Sequence, residues 1–220
     1  MGGANKPDEI IRRRGFMLIL SSPSGAGKST LTKYLLDDKE LNLAISISVT
    51  TRPRRSSEVD GTHYYFKTRA EFEKMRSASD LLEWAEVHGN YYGTPRAPVE
   101  AVLASGRDMI FDIDYQGTQQ VLDRARGDAV TIFILPPSMR ELKARLERRA
   151  EDTSDVIERR LEAARSREIS RWKLYDYVIV NQDVQEALQQ VRAILVAERL
   201  RRSRSQQAIE QFVKGLLGER

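Results

Sequence analysis

The stretch "LILSSPSGAGKST", from Leu18 to Thr30, joins a short apolar run to a glycine-rich turn, a lysine and two hydroxyl residues. A buried strand, such a turn and a following helix make up the phosphate-binding pattern G-x-x-x-x-G-K-[ST]. The glycines let backbone N–H groups converge on an anion, and the helix N-terminus adds positive potential. Serine replaces the first glycine of the pattern, but it is small and lies at the strand exit. The predicted phosphate-binding loop consists of Ser22, Pro23, Ser24, Gly25, Ala26, Gly27, Lys28, Ser29 and Thr30.

A metal ion is expected beside this loop. Lys28 can reach the β- and γ-phosphates of a nucleotide, and the Ser29 hydroxyl can ligate Mg²⁺. Asp112, in "IFDID", ends a predicted buried strand, and open α/β sheets place their ligands at the carboxyl ends of their strands. Taken alone, Asp112 is better explained as a cap of the strand end. Together with the loop, it predicts an Mg²⁺ site formed by Ser29 and Asp112.

Apolar strands alternate with helices along the 220-residue chain, which predicts an α/β fold with a parallel sheet and helices on both faces. Five strands are expected, in the segments 16–20, 43–50, 108–114, 129–135 and 175–181. Residues 49–98 have a different sequence pattern, which predicts short strands, turns and one brief helix that starts at a capping box. This segment is predicted to be a small inserted domain.

Composition and charge exclude several classes of protein. The chain has no cysteine, so it contains neither disulfides nor thiolate metal sites. Its N-terminus lacks the apolar region of a signal peptide, and no apolar run approaches the roughly 20 residues of a membrane span. We expect a cytoplasmic protein that does not bind membranes. The net charge of +4 is compatible with anionic ligands.

The inserted segment, together with Ser48 and Asp114 outside it, contains side chains suited to a phosphate dianion and to a purine base. Arginine matches phosphate oxygens with its planar fork, and tyrosine adds a hydroxyl donor. The candidates for the phosphate are Arg52, Arg55, Tyr64 and Tyr92, although a solvated basic loop would also explain each arginine taken singly. Guanine presents N–H donors beside an oxygen acceptor, so its site needs carboxylates and hydroxyls. The candidates for guanine are Glu83, Asp114, Ser48 and Thr94, but spacing alone does not show that they converge.

Five segments in this order resemble the guanylate kinase family: "SPSGAGKST", "SVTTRPRRSSEVDGTHYYF", "LLEWAEVHGNYYGT", "DIDYQG" and "YDYVIVN". The resemblance runs from about residue 15 to about residue 200. It implies a phosphoryl transfer from ATP to GMP that uses Mg²⁺. Family members more often have glycine at position 22 and serine at position 94.

The resemblance also implies domains and roles. The implied divisions are a core (15–48, 99–137 and 170–202), a GMP-binding domain (49–98) and a helical lid (138–169). Outside the resemblance, the polar first residues predict a flexible extension (1–14), and the last residues predict a C-terminal helical tail (203–220). The loop residues 22–30 and Asn181 would bind ATP. The guanine and phosphate candidates named above would bind GMP. Arg149 and Arg160 of the lid, together with Lys28, would be catalytic.

Three other functions are compatible with parts of the sequence. A kinase for AMP or dTMP would leave Glu83 and Asp114 without matching donors. A non-catalytic guanylate-kinase-like module that binds protein partners would be expected to lose phosphate-handling residues, but this chain has Lys28, Ser29 and Asp112. Nucleic-acid binding is supported only by the basic run "RLRRSRS", so we expect no nucleic-acid partner. The sequence does not predict the oligomeric state.

Overall fold

The structure is a computed structural model that describes residues 11–87, 89–149 and 153–218, without the side chain of Arg149. The strands are β1 (Met17–Ser21), β2 (Ala44–Ile45), β3 (Val49–Thr50), β4 (Tyr65–Phe66), β5 (Leu81–Val87), β6 (Asn90–Pro95), β7 (Met109–Phe111), β8 (Ala129–Leu135) and β9 (Tyr177–Val180). The α-helices are α1 (Lys28–Asp37), α2 (Arg69–Ser77), α3 (Arg96–Ala104), α4 (Tyr115–Ala125), α5 (Met139–Arg149), α6 (Ser154–Ala163), α7 (Val184–Arg199) and α8 (Gln206–Gly218).

Strand β1 lies at the centre of a five-stranded sheet with the order β2-β7-β1-β8-β9, and all its strand pairs are parallel. Successive side chains of a strand point to opposite faces. Accordingly, Leu18 and Leu20 pack with residues of α1 and α7, whereas Met17 and Ile19 pack with residues of α3 and α4. The sheet is therefore covered by helices on both faces, which confirms the predicted α/β fold.

The predicted strand over residues 43–50 is divided between two sheets. Ala44–Ile45 pairs with β7 in the parallel sheet, but Val49–Thr50 pairs with β4 and β6 in a second, four-stranded sheet with the order β4-β3-β6-β5. The β-branched composition predicts extended backbone correctly in both of these strands. It contains no signal for the point at which the chain leaves one sheet and enters the other.

The second sheet has one face packed on α2 and one face that carries polar side chains. Thr68 and Glu71 form both hydrogen bonds of the predicted capping box at the start of α2. Phe72 of this helix stacks on Tyr91 with 5.1 Å between the ring centroids. Because side chains alternate along β6, Tyr92 lies on the opposite face from Tyr91.

Helices α5 and α6 form a separate small core through Leu142, Leu146, Ile157 and Leu161. The chain continues through a π-helical segment (Ala164–Glu168) and a 3-10 segment (Ile169–Leu174) into β9. The last core helix ends at Arg199, three residues before the predicted end at residue 202. None of the described helices is both long and apolar enough to cross a bilayer.

The chain before β1 and the end of α7 are connected through a buried carboxylate, Asp108. Asp108 is fully buried and accepts hydrogen bonds from Arg13 at 2.6 and 2.9 Å and from Arg199 at 2.8 Å. Its Oδ1 also accepts a hydrogen bond from the backbone N–H of Phe16 at 3.1 Å. The start of β1 is thus fixed relative to α7. This contact lies at the N-terminal end of β1, and the phosphate-binding loop follows its C-terminal end. Most of the extension predicted over residues 1–14 lies outside the described residues.

Candidate active site

The phosphate-binding loop joins the buried end of β1 to the N-terminus of α1. Gly25 and Gly27 have φ angles of 91° and 103°, in the region that side chains other than glycine rarely adopt. A Cβ atom at either position would also lie close to neighbouring side chains. A Cβ on Gly25 would lie 2.9 Å from Leu146 of α5, and one on Gly27 would lie 2.2 Å from the Nδ2 atom of Asn181. Gly25 is therefore required by its conformation, and Gly27 by both its conformation and its packing against the hydrogen-bonded Asn181.

Asn181 stabilises the phosphate-binding loop through a hydrogen bond. Its side chain is buried, and its Nδ2 donates to the carbonyl oxygen of Ala26 at 2.8 Å. The residue follows β9, as predicted, and it also lines the cavity above the loop. Its predicted contact with adenine stays a prediction.

Helices α5 and α6 place arginines against the loop. Arg160 donates to the Ser24 hydroxyl at 3.0 Å. Arg145 donates to the carbonyl oxygens of Asn181 at 3.0 Å and Ala26 at 3.4 Å. Arg145 was not predicted from the sequence, although it lies one helical turn before the predicted Arg149. The side chain of Arg149 lies outside the described part of the chain.

A cavity of about 710 Å³ lies over the loop. It is lined by loop residues, by Glu141, Arg145 and Arg148 of α5, by Glu168, and by residues 181–184. The loop amides, Lys28 and the arginines form a cationic wall, which suits a polyphosphate anion. Glu168 was not predicted from the sequence to lie at this site. Its Oε2 is buried and has no hydrogen-bond partner among the described residues. Burial raises the pKa of this carboxyl.

Lys28 forms an ion pair with Asp112, which follows β7. Burial lowers the pKa of Lys28 to about 8, against the opposite effect of the Asp114 charge. The ion pair with Asp112 favours the charged amine, as would any phosphate bound to the loop. The structure therefore brings together the predicted lysine of the loop and the predicted acid at the strand end.

The oxygen donors beside Lys28 fit a magnesium ion. The Asp112 side chain is 49% exposed, and Ser29 is exposed at the first turn of α1. Among the described residues, no group of three or more His, Cys, Asp or Glu side chains could hold a metal ion. Magnesium commonly binds one or two protein oxygens and takes its remaining ligands from phosphate and water. Ser29 and Asp112 are donors of this kind, and their joint binding of one magnesium ion stays a prediction.

The carboxylate of Glu83 is buried, with 6% of the residue exposed, on the polar face of the second sheet. Thr94, its partner on β6, donates to Oε1 at 2.6 Å. Burial raises the pKa of Glu83 to about 7; the Thr94 hydrogen bond opposes this shift and the charge of Asp114 adds to it. Asp114 caps α4 by accepting from the backbone N–H of Gly117 at 2.9 Å. Three of the four predicted guanine residues therefore converge.

The fourth, Ser48, directly precedes β3, and its backbone carbonyl oxygen accepts from the backbone N–H of Tyr65 at 2.9 Å. Its hydroxyl as a contact for guanine stays a prediction.

The predicted phosphate residues form a second group on the same face. The rings of Tyr64 and Tyr92 pack edge to face at 6.1 Å, and the Arg52 guanidinium lies 5.5 Å from the Tyr64 centroid. Glu58, which was not predicted, accepts from Arg52 at 2.6 Å and from the backbone N–H of Arg55 at 2.8 Å. These two bonds lower the pKa of Glu58 to about 2, so a carboxylate anion occupies this cationic site. The Arg55 side chain is exposed.

Comparisons with known proteins show the family to which the chain is similar. A family model described as guanylate kinase matches residues 14–198. The chain is 61% identical over 210 residues to a guanylate kinase of Mesorhizobium japonicum, covering 96% of this chain and 95% of the relative. It is 60% identical over 215 residues to a guanylate kinase of Chelativorans sp., covering 97% of each. A crystal structure of guanylate kinase from Anaplasma phagocytophilum aligns with a TM-score of 0.68 and 39% identity, over 88% of this chain and 91% of that one.

The loop geometry predicts a selective effect of Gly27→Ala. The new Cβ meets Asn181 Nδ2 and must adopt a strained φ, so we expect MgATP to bind at least roughly tenfold more weakly in isothermal titration calorimetry. Gly89→Ala is the matched control, because Gly89 has a φ of 78° but a Cβ added there would have no atom within 4 Å. Circular dichroism checks that both variants fold. Equal MgATP affinity of Gly27→Ala and the wild type would contradict this account of the loop.

Proposed function

The chain belongs to the guanylate kinase family and is an ATP:GMP phosphotransferase, and we propose that the two groups of residues described above carry its reaction, ATP + GMP → ADP + GDP. The single observation that supports this assignment is a cavity of about 310 Å³ lined by both Lys28 and Asp114. One end of this cavity therefore adjoins the phosphate-binding loop, and the other adjoins Asp114, whose charge acts on the buried Glu83 of the second sheet.

The triphosphate of ATP binds the loop residues 22–30. The helix N-terminus, the loop amides and Lys28 hold the β- and γ-phosphates, and Asn181 keeps the loop in shape through Ala26. Arg160 already contacts Ser24, so a small movement of its side chain brings it to the transferred group. Arg149 has the same proposed role. Magnesium, held by Ser29 and Asp112, supplies further positive charge at the phosphates when bound.

GMP binds with its base at the Glu83 group and its phosphate at the Arg52 group. Glu83 and Asp114 accept from the guanine N–H groups, while Thr94 and Ser48 offer hydroxyls. Tyr92 and Thr94 are two residues apart on β6, so their side chains share one face of the sheet. A nucleotide lying along that face reaches both groups.

The phosphate of GMP would replace the Glu58 carboxylate on Arg52. Both are anions that a guanidinium binds with two parallel hydrogen bonds. Arg55, Tyr64 and Tyr92 then complete the phosphate contacts. Glu58 thus keeps the cationic group ordered until GMP arrives.

Catalysis needs positioning and charge neutralisation rather than a strong base. The attacking oxygen belongs to the GMP phosphate, which is already an anion at neutral pH. Lys28 and the arginines stabilise the negative charge of the transferring group, and the Arg52 group aligns the acceptor. Closure of the proposed GMP-binding domain (49–98) and lid (138–169) over the core would exclude water, which would otherwise hydrolyse ATP.

The presence of Lys28, Ser29, Asp112 and Arg160 at one loop argues against a non-catalytic binding module. The expected location in the cytoplasm and the absence of a nucleic-acid partner stay predictions.

A coupled ADP-release assay with MgATP and a panel of nucleoside monophosphates tests this function. We expect kcat/KM for GMP to exceed that for AMP and dTMP by at least roughly 10³-fold, because a site built to pair with hydrogen-bond donors rejects ligands that lack them. Comparable turnover of AMP or dTMP would contradict the base assignment. No ADP release with any acceptor would favour the binding module.

Glu83→Gln tests the role of the buried acid in the same assay. Glutamine keeps the shape and the Thr94 contact but turns an amide N–H₂ toward the guanine donors. We expect a loss of about 1–3 kcal/mol, or roughly 5- to 150-fold in kcat/KM for GMP, with the KM for ATP unchanged within about twofold. An equal loss for both substrates would show that Glu83 has no specific role in base recognition.

A further inference from the structure

Strand β5, which carries Glu83, is the edge strand of the second sheet, and its outer edge is paired by side chains instead of a strand. On an antiparallel edge strand, alternate residues direct their backbone N–H and C=O groups away from the sheet. Trp84 is such a residue on one side of Glu83; on the other side Leu82 lies at a register shift between Leu81 and Glu83, and its carbonyl oxygen also bonds to α4. Buried backbone groups need partners, and both residues find them on α4.

Gln120 of α4 binds Trp84 in the way that a neighbouring strand would. Its Nε2 donates to the carbonyl oxygen of Trp84 at 2.8 Å, and its Oε1 accepts from the Trp84 N–H at 3.2 Å. One turn later, Arg124 donates to the carbonyl oxygen of Leu82 at 2.7 Å. The backbone on both sides of Glu83 is therefore hydrogen-bonded to one helix, α4.

The same helix determines the surroundings of the Glu83 carboxylate. A Cβ on Gly117 would lie 2.8 Å from Glu83 Oε2, so this turn of α4 packs directly on the carboxylate. Asp114 caps the helix through Gly117, which sets the distance between the two acids. One helix of the core thus positions two acids that come from different sheets of the protein.

We propose that Gln120 is a positioning residue for guanine recognition: by pairing with Trp84 it holds the Glu83 carboxylate in register with Asp114, and so controls discrimination for the 2-amino group of the base. This inference rests on the proposed function. Gln120 touches no substrate and acts only through the backbone of β5.

The experiment compares GMP with IMP, whose base lacks the 2-amino group, in Gln120→Met. Methionine has a similar length but makes neither hydrogen bond with Trp84. We expect KM for GMP to rise roughly tenfold and the ratio of kcat/KM for GMP over IMP to fall at least about fivefold. The KM for ATP should stay within about twofold of the wild-type value.

Gln119→Met is the matched control. Gln119 is the neighbouring glutamine on the same helix, is exposed, and bonds only to Asp123 of its own helix at 2.8 Å in the described contacts. It should leave the GMP:IMP ratio unchanged. If Gln120→Met does not fold, Gln120→Glu keeps the acceptor for the Trp84 N–H, removes the donor, and should lower the ratio as well.

Three outcomes would overturn the proposal. An unchanged GMP:IMP ratio in the Gln120 variants, with an active wild type, overturns the inference and leaves the proposed function intact. Equal losses for GMP, IMP and ATP indicate a general structural role and overturn it too. A wild-type chain that does not phosphorylate GMP overturns the proposed function and this inference with it.

Discussion

The site depends on the burial of a carboxyl group, Glu83, close to a second one, Asp114. Burial and the neighbouring charge of Asp114 both disfavour the anion, and the hydrogen bonds from Thr94 together with the charge of Arg124 offset only part of that cost. A ligand that brings N–H donors to the carboxylate removes the penalty. A ligand without donors leaves it in place. In the proposed function this penalty becomes selectivity for the base, which requires that the surrounding structure keep Glu83 both buried and fixed.

The two halves of the site have opposite electrostatic character. At the loop, the amides and cations of the loop, α1 and α5 line a cavity that suits anions, and Arg160 of α6 contacts the loop at Ser24. At the second sheet, the acids lie near α4 and the arginines lie farther along the same face. A nucleoside monophosphate has matching polarity, with N–H donors on its base and negative charge on its phosphate. In the proposed complex, this match places the base at the acids and the phosphate at the arginines, where Glu58 holds Arg52 and Arg55 until the phosphate binds.

Much of the fold could be predicted because its signals are local in sequence. The apolar run before Ser22 and the glycine-rich turn together identify the central strand and the loop, and the capping box at Thr68 identifies a helix. The division of residues 43–50 between two sheets could not be predicted, because extended backbone looks the same in either sheet.

The candidate site was predictable only in part, for a physical reason. Glu83 and Thr94 lie on paired strands, and the resemblance to a known family named them together. Arg145 and Gln120 contact residues that are distant in sequence, and Glu58 is one of several charged residues in its segment. No periodicity in the sequence identifies these contacts. Two adjacent glutamines in "TQQV" have different roles because of the helix face that each occupies.

The most direct test of the central claim is the number of protons released when GMP binds, measured by titration calorimetry in buffers of different ionisation enthalpy. With a pKa of about 7, Glu83 is about half protonated in the free protein at pH 7, and pairing with guanine requires the anion. The wild type should therefore release about half a proton more per GMP than Glu83→Gln at pH 7, and the difference should approach zero above about pH 8.5. Equal proton release by the two proteins at pH 7, or proton uptake by the wild type, would contradict the account.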